Sequence, residues 1–92
     1  MEVIVKSRIQ TLFKRKGLVL PVTDDPNDYV PGDLVTWMIP DNLPHIGIVV
    51  DRRSHDEKRP LIVHNIGRGP RLEDMLFDYP VTGHYRYYGN NG

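Results

Sequence analysis

Four runs of β-forming residues, joined by turns too short to hold a parallel crossover, constrain this chain more than any other feature. Leu34 to Ile39 carries Val35, Thr36 and Trp37, residues that suit a pleated, half-buried surface. His45 to Val50 is the strongest strand signal in the sequence, and Leu61 to Ile66 follows it. In Thr82 to Tyr88 the aromatic side chains of Tyr85 and Tyr87 alternate with His84 and Arg86. Between these runs, Pro31-Gly32-Asp33 and Pro40 to Pro44 carry turn chemistry. Asp51 to Pro60 holds no apolar side chain before its proline and reads as an exposed loop. Antiparallel neighbours tolerate such connections, so an antiparallel sheet is expected, curved into a half-barrel.

A different period precedes the strands. Val5, Ile9, Leu12 and Phe13 fall on one helical face, basic residues crowd the end of that stretch, and Gly17 supplies a stop. The spacing predicts a helix from about Val3 to Lys16. Leu18 to Pro31 reads as a linker, because Pro21, Pro26 and Pro31 interleave with Asp24, Asp25, Asn27 and Asp28. Leu72, Met75 and Leu76 hint at one short helical turn. The expected fold class is therefore α+β: an N-terminal helix packed on a curved, mainly antiparallel four-stranded sheet. Residues 1–88 are read as one domain and 89–92 as a disordered tail.

Composition removes several function classes. The formal net charge of zero argues against a nucleic-acid partner, since phosphate neutralisation needs a basic surplus. No apolar run is long enough to span a bilayer, so no membrane partner is expected. The basic start lacks the apolar core of a leader peptide, and as written the chain is expected in the cytoplasm. Cysteine is absent, which removes disulfides, thiolate metal ligands and any sulfur nucleophile from this chain. His45, His55, His64 and His84 include no pair at the helical zinc spacing, and no metal or other cofactor is expected. The glycines of Asn65 to Pro70 lack the lysine and hydroxyl residue of a phosphate loop and read as a turn.

The residues with chemical promise are His45, His64 and Asn65. A hairpin folding about the 51–60 loop brings the start of the second strand beside the end of the third. If His64 faces Gly47, then His45 and His64 share a face as diagonal neighbours. If His45 faces Asn65, the amide shares the face instead, because a one-residue slip inverts every side chain. Either partner could hold an imidazole in one tautomer, as a histidine base requires. A histidine at a strand end is nevertheless more often a surface residue than a catalyst. Gly47, on the face of His45, signals close approach of another group: a substrate, a helix or simply tight packing.

The blocks Pro31-Gly32-Asp33-Leu34-Val35-Thr36-Trp37, Pro44-His45-Ile46-Gly47-Ile48-Val49-Val50 and Leu61-Ile62-Val63-His64-Asn65 resemble the later half of NlpC-type peptidases of the papain-like clan. With Gly67 to Asp74 and Thr82 to Tyr87, the chain looks closest to one uncharacterised bacterial branch of that clan, often exported to the periplasm. The resemblance implies that His45 is a general base, that His64 orients it, and that Asn65 is the alternative orienting group. It also implies a nucleophilic cysteine on a preceding helix, which this chain does not contain. The function it implies is the remnant or split half of a bacterial cysteine hydrolase cleaving amide bonds, such as those of cell-wall peptides, and inactive alone. Alternatives are a non-catalytic module binding a peptide or cell-wall ligand, or a protein that self-associates where its missing N-terminal half would sit.

Overall fold

The computed structural model describes residues 17–65 and 69–87. The helix expected over Val3 to Lys16 and the expected tail at 89–92 lie outside these residues. What the described chain forms is a single six-stranded sheet, with no α-helix among the described residues. The strands are β1 (Gly17–Leu20), β2 (Leu34–Ile39), β3 (Leu43–Arg53), β4 (Pro60–Asn65), β5 (Pro70–Glu73) and β6 (Val81–Tyr87). Their spatial order is β1-β6-β2-β3-β4-β5, and every neighbouring pair is antiparallel. Among the described residues, no helix is long and apolar enough to cross a membrane.

The expected α+β architecture with a four-stranded sheet is thus corrected to an antiparallel sheet of six strands. The two unexpected strands are the outermost ones, β1 and β5, each of four residues. Leu18 to Leu20 was expected in a linker, and its β-branched and apolar side chains pair with β6 instead. Leu72, expected in a helical turn, lies in β5 opposite Val63. Residues this few show neither a helical nor a strand period. Their state is set by the neighbour to which they hydrogen-bond.

One face of the sheet carries the core. Val35 and Trp37 from β2, Val49 from β3 and Ile62 from β4 project to it and are almost fully buried. Loops close this face. Tyr29, from the connection between β1 and β2, and Met75 and Leu76, from the connection between β5 and β6, complete the cluster. Each loop is pinned by a polar group of an aromatic core side chain. The Tyr29 hydroxyl donates to the Thr23 carbonyl at 2.7 Å, and the Trp37 indole N–H donates to the Leu76 carbonyl at 2.8 Å. Burying an aromatic ring contributes a few kcal/mol only when its polar end finds such a partner.

The entry to β2 is fixed by local chemistry. Pro31 and Gly32 form a tight turn in which the Asp33 amide donates to the Val30 carbonyl at 3.0 Å. Gly32 adopts φ +94°, a left-handed conformation that glycine alone adopts without a steric penalty. The turn aims Asp33 inward, where it is 1% exposed. Its carboxylate accepts from Arg86 Nε at 2.8 Å and Nη2 at 2.9 Å, from the Val30 amide at 3.1 Å, and lies 2.6 Å from His84 Nε2. Tyr29 stacks on His84 with ring centroids 4.2 Å apart. One carboxylate thereby fastens the turn before β2, the loop after β1 and the body of β6.

Candidate active site

Register decides which side chains meet. In the β3–β4 hairpin Gly47 lies opposite His64, the first of the two alternatives open to the sequence. In β4–β5, His64 lies opposite Arg71 and Ile62 opposite Glu73. Alternation along each strand then places His45, His64 and Glu73 on the core face, each diagonal to the next. His45 is also opposite Trp37 of β2, with ring centroids 6.1 Å apart.

The three side chains make a continuous hydrogen-bonded line. His45 Nε2 lies 2.8 Å from His64 Nδ1, and His64 Nε2 lies 2.7 Å from Glu73 Oε1. The two imidazole planes are nearly perpendicular, at 87°. An ionised carboxylate only accepts, so His64 carries its proton on Nε2 and presents a bare lone pair at Nδ1. His45 must therefore donate from Nε2, which leaves its own lone pair on Nδ1. Every buried side-chain nitrogen and oxygen among the described residues has a hydrogen-bond partner. Nδ1 of His45 has none there, so it reaches solvent.

Burial grades along the line. The His64 side chain is only 2% exposed, while that of Glu73 is 45% exposed at the sheet edge. His45 is half-buried. Partial burial first, and repulsion from His64 second, hold the His45 imidazole below the usual histidine value. It is consequently neutral and able to take a proton at neutral pH. Glu73 in turn can balance the positive charge that appears when it does.

Gly47 permits the arrangement. A Cβ at this position would lie 2.6 Å from Ile62 Cγ2 and 3.0 Å from the Trp37 ring. Tight packing, not substrate room, is thus what the glycine provides: it lets Trp37 lie across β3 beside His45.

Asn65, the other candidate orienting group, stands exposed at the end of β4 and is opposite Pro70. Alternation turns it to the face opposite His64, and it has no hydrogen bond to His45. Glu73 is the member that sequence reasoning missed. Its signal would have been a carboxylate two positions along a paired strand from the residue opposite His64, and that signal is invisible until β5 is recognised as a strand. His84 is occupied by Asp33 and stands apart from the line. No group of three or more His, Asp or Glu side chains among the described residues is arranged to hold a metal ion.

Comparison with known proteins gives two matches of consequence. A family model described as "Domain of unknown function (DUF1287)" matches residues 5–87. The chain is similar to the "Uncharacterized protein YijF" of Escherichia coli (strain K12), at 42% identity over 80 residues. That alignment takes in 87% of this chain but 38% of the relative, so the chain spans about two fifths of the length of the protein it matches. No solved structure matches. The resemblance to NlpC-type, papain-like amidases is corrected by these findings, which contain nothing from that clan. The physical reason lies in the blocks that carried it. They are the turn-and-alternation pattern of the β2–β3–β4 meander, which unrelated antiparallel sheets share. With its family model running through all six strands, the chain belongs to the DUF1287 family.

Proposed function

We propose that this chain supplies the general-base part of a hydrolytic, acyl-transfer site, with His45 Nδ1 as the proton acceptor. The observation that carries this reading is the unbroken line Glu73–His64–His45, with contacts of 2.7 and 2.8 Å. A histidine base works when a second group fixes its tautomer and offsets the charge it gains. Here His64 fixes the tautomer and Glu73 offsets the charge. When His45 accepts a proton at Nδ1, its Nε2 proton can pass toward His64 and the His64 Nε2 proton toward Glu73. The trio then moves from a net charge of −1 to zero without exposing an unpaired charge.

The nucleophile in this reading is a group that loses a proton to Nδ1 and attacks a carbonyl carbon. No hydroxyl among the described residues is hydrogen-bonded to His45, and the chain has no thiol. The nucleophile is therefore assigned to water or to a side chain elsewhere in a longer protein. The reading is consistent with a chain that spans only part of its relative.

An exogenous thiol tests it. With β-mercaptoethanol and p-nitrophenyl acetate, the thiol proton passes to His45, the thiolate attacks the ester carbonyl, and p-nitrophenolate leaves as a thioester forms. The chain is expected to accelerate this reaction beyond an equal concentration of free imidazole, and His45→Ala to abolish the excess. An unchanged rate in His45→Ala, or no excess over imidazole in the wild type, would rule the reading out.

A further inference from the structure

Resting on the general-base reading of the same site, we infer that Arg71 is a substrate-recognition residue that binds a carboxylate beside the reacting group. Among the described residues, three of the other five cations are held, and Arg52 and Lys58 lie toward the far end of the β3–β4 hairpin from the relay. Arg53 donates to the Glu57 carbonyl, Arg59 to Asp56 and Asp74, and Arg86 to Asp33. Arg71 is exposed and has no hydrogen bond or ion pair among the described residues, yet it lies directly opposite His64 in the β4–β5 register. It shares the face of the relay because it is two positions from Glu73 on β5.

Geometry sets what it can reach. Arg71 is level with Gly47 across His64, so it stands two strands and two residues from His45, roughly 12 Å at the usual spacings. A guanidinium on its flexible stem covers about half of that span. The anionic group it meets is therefore separated from the attacked carbonyl by only a few bonds, as in a short acyl peptide with a free terminal carboxylate. The planar fork of arginine matches a carboxylate in two parallel hydrogen bonds.

Charge selects a carboxylate over a phosphate. Glu73 is nearly half exposed on the same face of the same strand, and its carboxylate repels any anion bound there. The attraction of the one guanidinium and this repulsion both grow in proportion to the ligand's charge, but the cost of desolvating the ligand grows faster, which favours a monoanion over a dianion. Arg71 is thus placed to discriminate between substrates without taking part in proton transfer.

The test is binding, so it does not depend on turnover. The isotope-labelled chain is titrated with N-acetylalanine and, separately, with N-acetylalaninamide and inorganic phosphate, reading the Arg71 Nε and His64 ring signals by NMR. Saturable shifts are expected with the carboxylate and not with the amide. Affinity should fall about tenfold or more in Arg71→Gln and less in Arg71→Lys, as loss of one charge-assisted pair requires. Equal affinity in Arg71→Gln, equal binding of the amide, or tighter binding of phosphate would each overturn the assignment. A retained Arg71-dependent affinity in a chain whose His45→Ala variant still accelerates thiolysis would sink the base reading alone.

Discussion

At the scale of single residues, the site depends on proton positions and on one missing side chain. Because the His45 imidazole titrates below its usual value, the neutral base persists to lower pH than in a free histidine. The acid limb of the thiolysis profile should accordingly fall below pH 6.5, the unperturbed value, and measured pH–rate data check it. The same depression has a stability sign. Protonating His45 favours the unfolded chain, so its contribution is present above about pH 6.5 and is lost as pH falls through its folded value. Glu73→Gln keeps an acceptor oxygen for His64 but removes the charge that balances a protonated relay. We expect its thiolysis rate to drop by about tenfold or more with little change in melting temperature. Gly47→Ala is the structural counterpart. Its Cβ would collide with Ile62 and press on Trp37, so a loss of about 1–3 kcal/mol is expected in urea unfolding. His45 and His64 were legible as residues, since each ends a clear alternating run. Glu73 was not, because its partner is chosen by a strand with no pattern of its own.

At the scale of elements, Asp33 shows how one turn organises three segments. Burial by itself would raise its pKa, but hydrogen bonds from Arg86 and His84 outweigh it and hold the carboxyl below the usual range. The sign follows. Asp33 stabilises the fold fully above about pH 4, its unfolded value, and this stabilisation is lost as pH falls through the lower folded value. Asp33→Ala would leave the buried His84 and the Arg86 guanidinium without their shared acceptor. A cost of about 3–5 kcal/mol is expected in chemical denaturation at neutral pH, shrinking as the solution is acidified. The sequence marked this turn through Pro31-Gly32-Asp33, and it marked β2, β3, β4 and β6 to within a few residues. The side-chain partners of Asp33, His84 and Arg86, lie more than fifty positions away, beyond any local pattern.

At the scale of the whole molecule, the candidate site runs from the middle of the sheet to its edge. His45 belongs to β3, His64 to the penultimate strand β4 and Glu73 to the four-residue edge strand β5, while β2 and β3 are the innermost pair. Hydrogen exchange should therefore show the amides of β2 and β3 slowest, and those of β1 and β5 fastest among the strands. Equal protection of β5 and β2 would contradict this ordering. The sequence by itself determined the antiparallel habit, four of the strands, and two imidazoles brought to one end of a hairpin, because these follow from period-two alternation and turn residues that act over a few positions. Only the tertiary structure decided the register that turns Asn65 away, the edge strands β1 and β5, the loops that close the core, and the carboxylate behind His64. Those depend on hydrogen bonds and packing between segments distant in the chain, whose energies no local stretch encodes.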